Sequence, residues 1–141
     1  MSTHTILVVE DDPDDAFLIR RAFAKCFPEV QLQFAHDGED AVALLSRATP
    51  QAMPPDLVLL DLKLPRMSGL EVLQWMRANP SLRRLPVVVL TSSRERKDVD
   101  TAYDLGANSY LVKPVSGDSA KALGSTLGLY WLQLNIPPSV G

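Results

Sequence analysis

Four consecutive apolar residues, Leu57-Val58-Leu59-Leu60, run directly into a carboxylate, Asp61, and then into a loop containing Pro65. Successive side chains of a strand point to opposite faces, so an unbroken apolar run needs cover on both. A central strand of a parallel sheet, with helices on either side, meets that condition. Pro86-Val87-Val88-Val89-Leu90 repeats the pattern and ends in Thr91-Ser92-Ser93. Thr5-Ile6-Leu7-Val8-Val9 repeats it again and ends in Glu10-Asp11-Asp12-Pro13-Asp14-Asp15. Two weaker strands complete the set. Gln31-Leu32-Gln33-Phe34-Ala35 alternates as a half-buried or edge strand does, and Ser109-Tyr110-Leu111-Val112 ends in Lys113-Pro114.

Helical spacing separates these strands. Ala16, Ile19, Phe23 and Phe27 mark a first helix; Pro13 with its flanking Asp residues opens it and Pro28 stops it. Asp12, Asp14 and Asp15 read as part of that helix start. His36-Asp37-Gly38 is a turn, and Ala41 to Leu45 belong to a second helix. Three prolines between Thr49 and Pro55 mark a loop. Leu70, Leu73, Trp75 and Met76 form a third helix that closes near Asn79-Pro80. A fourth, from about Glu95 to Leu105, carries only the thin apolar stripe Val99, Ala102 and Leu105. The last is expected from Ser116 to Leu134, with Leu123, Leu127, Trp131 and Leu134 on one side. Five strands, each followed by a helix, predict an α/β fold: a five-stranded parallel sheet, doubly wound as (βα)5, with right-handed crossovers. Residues 1–141 are expected to form one domain, with a core over about 5–135 and a short tail at 136–141. Gly124 and Gly128, four apart in the last helix, point to close packing or to a tolerated weakness.

Composition excludes some functions. A net charge of −3 argues against non-specific nucleic-acid binding, which needs a basic surface. No apolar run reaches the roughly 20 residues that span a bilayer. The polar start, Met1 to Thr5, shows no secretory signal, and a cytoplasmic location is expected. Cys26 is the one cysteine, so no internal disulfide is possible, and it is expected in the core. His4 and His36 have no His or Cys at metal spacing, which argues against zinc.

In a parallel sheet all strand C-termini share one edge. Glu10, Asp11, Asp61, Thr91 and Lys113 should therefore converge from four parts of the chain. Three crowded carboxylates repel unless a cation lies among them. The hard, oxygen-liganded choice is Mg²⁺, which commonly shares its shell with a phosphate. Asp61 can then act as nucleophile towards a phosphoryl group, with Lys113 and Thr91 binding phosphoryl oxygens.

These stretches also carry a resemblance. Ile6 to Asp15, Asp61-Leu62-Lys63-Leu64-Pro65-Arg66-Met67-Ser68-Gly69, Val89-Leu90-Thr91-Ser92-Ser93 and Gly106-Ala107-Asn108-Ser109-Tyr110-Leu111-Val112-Lys113-Pro114 together resemble the receiver domain of two-component response regulators. The resemblance implies a flavodoxin-like strand order 2-1-3-4-5 and a phosphoacceptor role for Asp61, fed by a sensor histidine kinase. Glu10, Asp11 and Asp61 would hold Mg²⁺ with the backbone carbonyl of Lys63. Thr91 and Tyr110 match the switch pair, Lys113 the lysine of the motif, and Lys113–Pro114 is expected to be a cis peptide. Phosphorylation would then bias the surface of the fourth helix, fifth strand and fifth helix towards partners.

No output module is seen after Leu134. The ending Tyr130 to Pro138 and the proline-rich loop resemble stand-alone receivers that work with bacterial phytochromes. That implies a phytochrome-type kinase as partner, and a homodimer through the fourth helix, fifth strand and fifth helix. Trp131, Leu134 and Ile136 could supply its apolar contact, or Trp131 and Leu134 could pack on the sheet. The alternative function is a phosphatase-like hydrolase with an aspartyl-phosphate intermediate. Such enzymes carry a second acid two residues beyond the nucleophile, where this chain has Lys63, and there is no spare length for a substrate-covering cap.

Overall fold

The computed structural model of the chain describes residues 4–47 and 53–139, so most of the expected loop at 49–55 lies outside the described residues. The strands are β1 (Thr5–Val9), β2 (Gln31–Ala35), β3 (Leu57–Leu60), β4 (Val87–Thr91) and β5 (Ser109–Val112). All pair in parallel, in the order β2-β1-β3-β4-β5. The helices are α1 (Pro13–Cys26), α2 (Gly38–Ser46), α3 (Gly69–Ala78), α4 (Arg96–Asp104) and α5 (Gly117–Leu127).

The apolar runs are buried on both faces because their alternate residues supply two separate cores. Leu7, Val9, Val58, Leu60, Val87 and Val89 pack with Ala41, Leu45, Val72, Leu73 and Met76 from α2 and α3. Ile6, Val8, Leu57, Leu59, Val88 and Leu90 pack with Ile19 and Phe23 of α1 and Leu127 of α5. At about 1.5–3 kcal/mol for each large apolar side chain removed from water, these two layers dominate the favourable side of folding. β2 is one of the two edge strands and alternates in exposure, ending in buried Ala35. α4 buries only Ala102, in keeping with its thin stripe.

Helix starts follow their caps. The Asp12 side chain accepts from the amides of Asp14 and Asp15, with Pro13 at the first helical position. Ser68 and Glu71 form a capping box at α3. Glu95 precedes α4 without a side-chain cap bond.

Three expectations are corrected. The last helix does not run unbroken to Leu134: α5 ends at Leu127 and a π-helical segment, Gly128–Leu134, follows. A Cβ at residue 128 would lie 2.6 Å from Phe27 Cζ, so glycine lets the wide turn seat against that ring. Trp131 then packs on the α1 side of the sheet, while Leu134 and Ile136 are 64% and 91% exposed. The Lys113–Pro114 peptide is trans; the two isomers of a proline peptide differ by about 1 kcal/mol, so the surrounding loop selects between them. Cys26 is half-buried and not in the core, because it ends α1 with its Sγ facing the Lys121 carbonyl of α5. The Gly124 expectation holds: a Cβ there would come within 2.9 Å of Ala22 Cβ on α1.

Candidate functional site

Register decides which side chains meet at the C-terminal edge. Val9 pairs with Leu60, so the residues that follow, Glu10 and Asp61, leave the sheet side by side. The Asp61 amide donates to the Val9 carbonyl at 3.1 Å and the Glu10 amide to the Ala35 carbonyl at 2.9 Å. Thr91 pairs with Val112, and the next residue, Lys113, donates its amide to the Thr91 carbonyl at 2.9 Å.

The Lys113 ammonium is the centre of this cluster. Its Nζ lies 2.8 Å from Glu10 Oε1, 2.8 Å from Asp15 Oδ2 and 2.8 Å from Asp61 Oδ2. Burial desolvates the ammonium and opposes its charge, but the hydrogen bonds it donates to Asp15, Asp61 and Glu10 outweigh that and hold it firmly protonated. Glu10 is almost wholly buried, and desolvation pushes its carboxyl from 4.5 up to about 7 against the pull of Lys113 and the Asp12 amide. The Asp61 carboxylate, also buried, accepts from the Lys63 amide at 3.3 Å on its other oxygen.

One ligand atom each from Glu10, Asp11 and Asp61 lie within 4.8 Å of one another. With Asp15, four carboxylates face one ammonium, and the net negative charge they leave suits a hard divalent cation. The donor set therefore fits Mg²⁺. A second observation bears on a phosphoryl ligand. Thr91 is fully buried, and its Oγ1 has no hydrogen-bond partner among the described residues. A buried hydroxyl without a partner costs about 1–3 kcal/mol, so folds retain one where something else satisfies it.

The structure brings Glu10, Asp11, Asp61 and Lys113 together, with Thr91 on the adjacent strand end. It places Tyr110 apart from them: its hydroxyl donates to the Ser93 carbonyl at 3.0 Å, in the loop after β4. Desolvation, joined by the nearby carboxylates of Asp98, Asp61 and Glu95, raises the Tyr110 phenol above its usual range. Ser93 also donates its hydroxyl to Asp98 in the first turn of α4 and accepts from the Glu95 amide, which ties the loop to the helix. Asp15 is a correction. Read from the sequence as a helix-start residue, it spends its side chain on Lys113, while Asp12 alone does the capping. The signal was present, since five acids around one proline exceed what a cap requires. Arg77 is a residue that sequence reasoning missed; it bridges α3 to the loops that precede β4 and β5, donating to the carbonyls of Leu82, Leu85 and Gly106 and to Asn108 Oδ1.

The architecture and the cluster coincide with a known family. The response regulator receiver domain model matches residues 6–123. The chain belongs to the response regulator receiver family. Among its relatives is the probable methanogenesis regulatory protein FilR2 of Methanothrix harundinacea, 39% identical over 134 residues, which cover 94% of this chain and 86% of FilR2. The response regulator Rcp1 of Synechocystis is 35% identical over 130 residues, covering 91% of this chain and 88% of Rcp1. A solved Mn²⁺-bound form of Rcp1 superposes with a TM-score of 0.86, at 34% identity, covering 96% of this chain and 99% of that one. The phosphorylated cyanobacterial phytochrome response regulator RcpA superposes with a TM-score of 0.90, at 34% identity, covering 98% of this chain and all of that one (100%). The receiver family is a signalling family, and receiver domains act with histidine kinases. No described helix is long and apolar enough to cross a membrane.

Proposed function

We propose that this receiver is a stand-alone phosphorylation switch that takes a phosphoryl group from the phosphohistidine of a sensor kinase onto Asp61. The observation that carries the reading is the Lys113 ammonium hydrogen-bonded to Asp61, Glu10 and Asp15, with the partnerless Thr91 hydroxyl on the adjoining strand. An Asp61 oxygen attacks phosphorus, the P–N bond to the donor imidazole breaks, and its electron pair stays on the ring nitrogen. The oxygen of Asp61 that faces Lys113 is charge-paired; the other is oriented by the Lys63 amide.

Glu10, Asp11 and Asp61, with the Lys63 carbonyl, would hold Mg²⁺. When bound, the metal offsets the carboxylate charge and stabilises charge on the phosphoryl oxygens. Afterwards Thr91 and Lys113 turn to the new phosphoryl oxygens. The Thr91 movement draws in residues 92–95, to which Tyr110 is bonded through Ser93, and so alters the surface made by α4, β5 and α5.

The domain is read as one unit over 1–141 with its core at 5–135. Relatives matched over most of their own length support that reading. A phytochrome-type kinase is proposed as donor, with RcpA as the support. A homodimer is proposed through α4, β5 and α5 and the segment after them, where Tyr103, Leu134 and Ile136 are exposed. Transfer of label from a phosphorylated phytochrome-type kinase to this chain, abolished in Asp61→Asn, tests the reading. Turnover of an unrelated phosphomonoester, unaffected by removing the kinase, would favour the hydrolase instead.

A further inference from the structure

The loop from Leu62 to Gly69 carries Lys63, whose amide holds one oxygen of Asp61. Its base is closed by the Gly69 amide donating to the Leu62 carbonyl at 3.0 Å. Its far side presses on α2, a separate element. A Cβ added at Gly38 would lie 2.7 Å from Met67 Cβ and 2.8 Å from the Met67 carbonyl carbon, with the carbonyl oxygen closer still. The obstruction is mostly backbone, so no side-chain rotation relieves it. At the same contact Arg66 adopts φ 67°, rare for a residue with a Cβ, and its Nε lies 3.8 Å from Asp37 Oδ2. The Met67 amide donates to the Pro65 carbonyl at 2.8 Å, which makes the tip a tight turn.

We infer that Gly38 is a positioning residue for the phosphoacceptor: the bare start of α2 lets the Leu62–Gly69 loop lie close enough for the Lys63 amide to orient Asp61. The role of Asp61 rests on the reading above, but the contact of Gly38 with Met67 and the bond from the Lys63 amide to Asp61 do not. Local preference points the other way. Gly38 lies at the first position of α2 without a positive φ, where alanine should be neutral or favourable. Gly117 is the matched case: it too is the first residue of a helix behind a capping side chain, and a Cβ there meets nothing within 4 Å.

The experiment compares Gly38→Ala, Gly117→Ala and Asp61→Ala by amide NMR of the metal-free protein, then by Mn²⁺ titration calorimetry. In Gly38→Ala the Lys63 amide resonance should move towards its position in Asp61→Ala, where the acceptor is gone. Mn²⁺ affinity should fall roughly tenfold, the factor equivalent to one hydrogen bond of ordinary net worth. Gly117→Ala should leave both unchanged. The Leu59 amide in β3 reports that the sheet is intact. If Gly38→Ala does not fold, Asp37→Asn keeps the helix cap and removes the contact with Arg66; the same resonance should shift in the same direction. A Lys63 resonance that stays in place in the folded variants overturns the inference. Absence of Mn²⁺ binding even by the unaltered protein would instead count against the metal reading, and the amide comparison still decides this one.

Discussion

Replacing Thr91 by valine should make the protein more stable and less responsive. The Thr91 hydroxyl is buried at 0% exposure with no partner among the described residues, so the folded state bears its desolvation cost. Valine matches threonine in shape and leaves no cavity, and removal of an unsatisfied hydroxyl recovers about 1–2 kcal/mol. For a chain of this size that corresponds to a rise in Tm of about 3–6 °C. Urea unfolding of the two metal-free proteins, with equal m-values, measures the difference. The same variant should still accept a phosphoryl group on Asp61, but the Tyr110 ring resonances should no longer shift on phosphorylation. Such an exchange of stability for function is common where a site keeps a group for a ligand. A Thr91→Val protein that is less stable than the original would refute the reasoning, since the hydroxyl would then be satisfied in the resting fold.

Glu10 gives a pH signature. Its pKa rises from 4.5 in the unfolded chain to about 7, so the folded state keeps a proton that the unfolded state loses between those values. Stability from this group is present below the unfolded value and is lost as pH rises through about 7. Metal binding needs the carboxylate, so titration at about pH 6 should show weaker Mg²⁺ affinity and proton release, with both effects gone at about pH 8; equal affinities would contradict the assignment. Arg77→Met should destabilise the fold by about 2–4 kcal/mol, since the guanidinium donates to the carbonyls of Gly106, Leu82 and Leu85 and to Asn108 Oδ1 and pairs with no acid among the described residues; a loss below about 1 kcal/mol would show those carbonyls hydrated in its absence. Light scattering with and without a stable phosphoryl mimic should report a dimer that Ile136→Glu weakens, and a monomer in both states would refute the dimer.

The fold was legible where burial left no choice. Leu57–Leu60 and Val87–Val89 are apolar at every position, and only a sheet covered on both faces hides them. Glu10, Asp11, Asp61 and Lys113 were legible because a parallel sheet brings its strand ends to one edge. Asp15 was not, since an acid in the first turn of a helix is satisfied equally well by the helix dipole or by a distant lysine. Arg77 escaped for a related reason: its partners are backbone carbonyls, which leave no trace in side-chain patterns. The π-helical segment depends on Gly128 meeting the Phe27 ring from another helix, a contact that spacing within the last helix does not encode.

The most direct test of Asp61 as a reversible acceptor is mass analysis after incubation with acetyl phosphate and Mg²⁺. One phosphoryl group should be added, on the peptide that contains Asp61. It should be absent in Asp61→Asn and lost again on standing. Addition that persists in Asp61→Asn, or none in the unaltered protein, would contradict the account.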